Sequence, residues 1–152
     1  MAQLSPSAQA YLANKVLSAS PEELRLLLLE GAIRFTRYGR EGLARKDYEA
    51  SYTGFSQARN IVMELINSIK PEVSPELCSK ISGVYTFIYT LLIEAGHERN
   101  IDKADNAVQL LDYERETWVM LMEKLAAERT GAPSASGSQS APNKPASFTF
   151  SA

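Results

Sequence analysis

Glu94 and His97 are spaced as helical metal ligands. Glu-x-x-His sets a carboxylate and an imidazole one turn apart on the same helix face. Di-iron bundles use that spacing twice and add two further inward carboxylates. His97 is the only histidine in the chain, so one subunit cannot assemble such a site. At the end of a helix, a partly charged imidazole suits the negative pole of the helix dipole, and that is the role read for His97. Cys78 is the only cysteine, so no internal disulfide forms, and a reducing compartment is the natural reading. A lone thiol in an apolar stretch reads as a small core group rather than a nucleophile. The sequence holds no Ser/His/Asp set, no glycine-rich phosphate loop and no Cys/His cluster. Gly31, Gly39 and Gly42 follow no strand, so they are not a dinucleotide fingerprint. The expectation is a protein without catalytic residues, cofactor or metal.

The elements that carry these residues are helices. Ser20 is placed to cap a helix, Pro21 sits at its first position, and Glu23 is three residues after Ser20, where it completes a capping box. The helix that follows is expected over residues 21–45. Leu24, Leu27, Leu28, Gly31, Phe35 and Tyr38 recur at helical spacing and are read as its core stripe. Its second half carries Arg34, Arg37, Arg40 and Arg45, read as a solvated face matched to the dipole. Asp47 opens a second long helix, over about residues 47–69. Ser74-Pro75 repeats the Ser-Pro start and opens a third, over about residues 75–97. Asn100-Ile101-Asp102 marks the turn into a fourth, which runs to about residue 128. A short helix over residues 7–17, with Ser7 as cap, precedes them; it is too short to stand alone and should dock on the rest.

The expected fold is therefore all-α: an antiparallel up-down four-helix bundle with a short N-terminal helix packed against it. Residues 1–129 form the bundle domain. Residues 130–152 are almost entirely small and polar up to Ala146 and read as a disordered tail, with Phe148 and Phe150 as its only large apolar groups. The chain has 152 residues, 45% hydrophobic and 22% charged, which is ordinary for one globular domain. A net charge of −2 gives no reason to expect nucleic acid. No apolar run reaches the length of a membrane span, and residues 1–6 do not resemble a secretory signal.

What exceeds the needs of one core is apolar surface. Leu26, Leu29 and Ile33 recur on the side of the first long helix opposite its stripe. Ile61 widens the stripe of the next helix, and Phe87, Tyr89 and Ile93 lie beyond the stripe of the third. A helix that is apolar nearly all round is either fully buried or has a second contact surface. In a small bundle the two readings are about equally open. If these residues form a surface, grooves between helices suit an amphipathic partner helix. Two rivals remain: a homo-oligomer using the same surface, and a bundle enzyme with an unrecognised site.

Several stretches resemble the FliS-type flagellar export chaperones, which bind flagellin. They are Tyr11, then Ser18-Ala19-Ser20-Pro21-Glu22-Glu23-Leu24, then Leu28-Leu29-Glu30-Gly31-Ala32. Lys46-Asp47-Tyr48-Glu49-Ala50, Ala58-Arg59-Asn60-Ile61-Val62-Met63-Glu64-Leu65 and Arg115-Glu116-Thr117-Trp118 continue the likeness, in order, over roughly residues 8–125. Leu29 departs from the tyrosine the family often has before its Glu-Gly pair. The resemblance implies a cytoplasmic chaperone that holds the C-terminal segment of flagellin around the bundle, blocks premature assembly and delivers the subunit to the export gate. It implies that the segment around Tyr11 covers an apolar groove and contributes to docking at the gate, and that the protein is a monomer or weak dimer when unbound. The expected partner-binding residues are Tyr11, Leu26, Leu29, Ile33, Ile61, Phe87, Tyr89 and Ile93.

Overall fold

A computed structural model describes residues 5–69 and 75–131 of the chain. The expected cap at Ser74 and most of the expected disordered tail, Phe148 and Phe150 included, lie outside the described residues. Those residues form five helices: α1 (Pro6–Ser18), α2 (Pro21–Arg45), α3 (Tyr48–Asn67), α4 (Pro75–Glu98) and α5 (Ile101–Arg129), with no strand among them. The local chemistry sets their starts. The Ser20 hydroxyl accepts from the Glu23 N–H at 3.1 Å, and the Glu23 carboxylate accepts from the Ser20 N–H at 3.0 Å, a complete capping box. The Asp47 and Asn100 side chains cap α3 and α5 by accepting from Ala50 and Lys103. At α1 the cap is Ser5 rather than Ser7: Ser5-Pro6 is the same signal as Ser20-Pro21, one residue pair earlier than the sequence reading placed it.

The four long helices close a ring in which α2 packs on α3 and α5, and α4 packs on α3 and α5. The α2–α3 seam is the closest. A Cβ on Gly54 would stand 2.5 Å from the Gly39 backbone nitrogen, and one on Gly42 would stand 2.6 Å from that of Ser51. Only glycine permits that approach. Around the seam the core is built from Phe55, Ala58, Leu92, Ala95, Ala104, Ala107 and Leu111. Burying a side chain the size of Phe55 contributes about 1.5–3 kcal/mol.

The structure corrects the reading of α2. Its buried face is Leu29, Ile33, Thr36 and Leu43, together with Gly31, Ala32, Gly39 and Gly42 toward α3. Leu29 is 0% and Ile33 5% exposed, so both belong to the core and not to an outer face. Leu24, Leu27, Leu28, Phe35 and Tyr38, read as the core stripe, are only half-buried. The physical reason is Thr36. Its hydroxyl donates to the Ala32 carbonyl at 2.7 Å, so a polar residue sits in the core at no hydrogen-bonding loss. In sequence that polar residue interrupts the Leu29-Ile33-Leu43 stripe and shifts the apparent face. The arginines are also not simply solvated: Arg40 Nε bonds Asp105 at 3.0 Å and Arg37 pairs with Asp112 at 3.3 Å, both across to α5. On α3, Tyr52 faces solvent, and on α4, Tyr85 is core.

The N-terminal helix is a second correction. No residue of α1 is buried. Ala8 and Leu12 are half-covered, whereas Tyr11, Val16 and Leu17 face solvent, so α1 is not packed into the bundle. Its large apolar residues are Tyr11, Leu12, Val16 and Leu17, four on thirteen, too few to hold a short helix down.

Candidate partner-binding surface

Of the eight expected contact residues, three face solvent: Tyr11, Phe87 and Ile93. Leu26, Ile61 and Tyr89 are half-buried, the last two packed against the core cluster. Leu29 and Ile33 support the bundle from inside. These residues do not form one patch. Tyr11 stands apart on α1, with the Lys15 ammonium 5.7 Å from its ring. Phe87 and Ile93 share α4.

The outer face of α4 is the most coherent candidate. From Ile81 to Ile93 the helix has no charged residue. Gly83, Thr86, Phe87, Thr90 and Ile93 are exposed along it. The Thr90 hydroxyl donates to the Thr86 carbonyl at 3.1 Å, which turns that polar group back onto its own helix. A Cβ on Gly83 would meet nothing within 4 Å. A mid-helix glycine weakens a helix by about 1 kcal/mol relative to alanine, and no packing among the described residues requires it. Close approach of another backbone would.

The ends of the ring differ in chemistry. Where α2 begins, Arg25 lies among all four long helices. Its guanidinium donates to Ser68 Oγ at the end of α3 (3.0 Å) and to the Tyr85 hydroxyl on α4 (3.2 Å). It also sits 5.3 Å from the centre of the Trp118 ring on α5. Trp118 Nε1 in turn donates to the Glu22 carbonyl at 2.9 Å. Burial pushes the Tyr85 hydroxyl up from its ordinary pKa, against the pull of Arg25. Burial also pushes the Glu114 carboxyl up, offset in part by Arg25 and by its hydrogen bond with Tyr85. Between α2 and α5 an open cleft of about 520 Å³ is lined by Ile33, Arg34, Arg37, Asp112 and Arg115 among others. Arg115 Nε lies 3.9 Å from Asp112. Mixed charge makes this cleft a poorer seat for an apolar helix than α4.

The profile of the family described as flagellar protein FliS matches residues 3–125. The chain belongs to the FliS family. The match begins ahead of α1 and ends inside α5. Two curated relatives carry the name flagellar secretion chaperone FliS. The one from Bacillus subtilis (strain 168) is 25% identical over 122 residues, 80% of this chain and 90% of that protein. The one from Campylobacter jejuni subsp. jejuni serotype O:6 is 29% identical over 109 residues, 72% of this chain and 85% of its own.

Within this FliS-family chain the sequence reading missed Tyr113, Met120 and Leu121, which α5 exposes on its far half. From Asp112 to Arg129 no α5 residue is fully buried. The available signal was the density of apolar residues at 118–122, which exceeds a single stripe. Arg25 was missed as well, because one arginine in a leucine-rich turn has no local pattern. Among the described residues, no group of three His, Cys, Asp or Glu could hold a metal ion, and no helix is long and apolar enough to cross a membrane.

Proposed function

We propose that the chain is a flagellar secretion chaperone that binds the C-terminal segment of flagellin in the cytoplasm, prevents its premature polymerisation and delivers it to the flagellar export apparatus. The observation that carries this reading is the family match across residues 3–125, together with relatives that bear that name over most of their length. The uncharged outer face of α4 supports it, since an amphipathic flagellin helix needs an apolar, uncharged seat. In this reading the four long helices are an antiparallel up-down bundle. The pairing of Arg40 with Asp105 and of Trp118 with Glu22 supports that order, because it sets the end of α2 beside the start of α5 and the reverse. Residues 1–129 are the chaperone domain, and residues 130–152 are a tail outside it.

Phe87 and Ile93 make the primary contact, with Tyr89, Ile61 and Leu26 at its margins. Tyr11, on an undocked α1, contributes to docking at the export gate. Leu29 and Ile33 act only by holding α2 in place. The mechanism is binding and release, with no covalent step.

The test is the mass of the purified chain in solution, alone and mixed with a flagellin C-terminal peptide. A stable complex heavier than the chain by whole peptides is the expected result. A homodimer whose mass the peptide leaves unchanged would replace this reading with that of a homo-oligomeric bundle.

A further inference from the structure

The far half of α5 carries apolar surface that the seat on α4 does not use. Tyr113, Met120 and Leu121 all face solvent. Tyr113, Thr117, Met120 and Lys124 recur at i, i+4, i+7 and i+11, so they lie along one line of the helix, and Leu121 stands one turn beyond Thr117 beside it. We propose that this face is a docking seat for the chain's own residues Phe148-Thr149-Phe150, which fold back along α5 and cover it.

Three observations carry it. The first is sequence. Residues 132–147 hold no apolar side chain larger than proline and one charge, Lys144; Phe148 and Phe150 follow with a β-branched residue between them. In extended backbone alternate side chains share a face, about 7 Å apart. Tyr113 and Met120 are two helical turns apart, or about 11 Å. One ring can therefore lie against Tyr113 and the other against Met120 and Leu121, with Thr117 beneath them. Ring on ring and sulfur on ring are both favourable pairings.

The second is reach. Along the axis, Arg129 lies about 14 Å beyond Met120 and about 24 Å beyond Tyr113. A Gly/Ser-type chain running from Gly131 to Phe148 has a root-mean-square span of about 20–25 Å, so the rings arrive over this length of helix without a stretched linker. A tether of that kind gives an effective concentration in the millimolar range. A contact of only about millimolar strength is then occupied roughly half of the time. The third is size. A stable dimer buries about 800 Å² on each partner, far more than three exposed side chains on one helix supply. They suffice for two tethered rings.

The test is methyl NMR on the full chain labelled at methionine. Met120 lies in the seat, and Met63 lies on α3, across the ring from α5. Phe148→Ser with Phe150→Ser is expected to shift the Met120 methyl signal and leave Met63 in place. The Met120 signal of the wild type is expected to be the same after tenfold dilution. In the reciprocal experiment Tyr113→Ser with Met120→Ser, both at exposed positions, frees the segment. Chymotrypsin cleavage after Phe148 should then run about twofold faster, as expected of a seat occupied half of the time. If that variant loses its helical circular dichroism, Met120→Ser alone decides by the same rate. An unmoved Met120 signal, an equal shift at Met63, or unchanged cleavage would each overturn the proposal. A Met120 signal that moves on dilution would overturn it too, because the cover would then be a second copy of the chain. The experiment contains no flagellin, so its failure leaves the functional reading standing, and failure of that reading leaves this one intact.

Discussion

The two ends of this bundle are built from different materials. At one, where α2 and α4 finish and α3 and α5 begin, the contacts are Gly39, Gly42, Gly54, Ala95, Ala104 and Ala107, with Phe55 wedged among them. Backbones approach as closely as sterics allow, and the side chains at a contact set that distance. At the other end, beside the fully buried Leu29 and Leu65, the helices are tied by long side chains: Arg25, Tyr85, Glu114 and Trp118. Close-packed small residues give rigidity with few alternatives, since any shift leaves either clash or void. Long polar side chains can rearrange and be hydrated. Backbone contact therefore dominates at one end of the bundle, and contact between long side chains at the other.

The largest expected effect tests a second division, between the core and the outer face of α4. Leu29→Asp with Ile33→Asp puts two carboxylates where exposure is 0% and 5%. Unpaired buried charges account for losses above about 4 kcal/mol each, against a total stability of about 5–15 kcal/mol. The variant should lose its helical circular dichroism at 25 °C. Phe87→Asp with Ile93→Asp changes two exposed positions on α4. It should keep its helicity and lose flagellin peptide affinity by at least about tenfold, or roughly 1.4 kcal/mol. A folded first variant, or an unfolded second one, would mean that the division between core and surface is misplaced.

This pair of variants shows how much was legible in the sequence. The helix count, the Ser20 cap, and the Asp47 and Asn100 starts follow from local rules, because a cap needs only its own neighbours. The orientation of α2 does not. Thr36 is polar by type but hydrogen-bonds its own helix, so it behaves as a core residue, and the stripe containing Leu29 and Ile33 was read as the outside. Phe87 and Ile93 were legible as excess over one stripe, since a helix with α3 and α5 as neighbours needs only one buried side. Tyr85 and Arg25 were not. Each is defined by partners on other helices, 60 residues apart in their own bond, and no window of sequence contains both.

A smaller effect sharpens the contrast between seams. Gly54→Ala forces a methyl to within 2.5 Å of the Gly39 backbone, which cannot swing aside as a side chain would. Overpacking of this kind costs about 1–3 kcal/mol. Its melting temperature should fall by several degrees. Gly83→Ala is the control, since its added carbon meets nothing. It should raise stability by about 0.5–1 kcal/mol through helix propensity alone. If both substitutions act alike, the glycines of α2 and α3 are not there for close approach.

The smallest expected effect lies at the Arg25 end, and its sign is informative. Burial raises the Glu114 carboxyl above its ordinary value of 4.5, and this outweighs the opposing pull of Arg25 and Tyr85. The folded state therefore holds the proton more tightly than the unfolded chain does. Such a group contributes stability that is fully present below about pH 4.5 and is lost as pH rises through its raised folded value. The ionised form is a net cost to the fold. Glu114→Gln removes the titration and keeps a carbonyl oxygen that can still accept from Tyr85. Its melting temperature should match wild type near pH 4 and exceed it modestly at pH 7, the gap opening as pH rises. The effect should be small, because Glu114 is only partly shielded from water. A variant less stable than wild type at pH 7 would show that the Arg25–Glu114 attraction outweighs the desolvation. The Arg25 end would then be held by an ion pair, and its contrast with the glycine seam would be one of chemistry but not of strength.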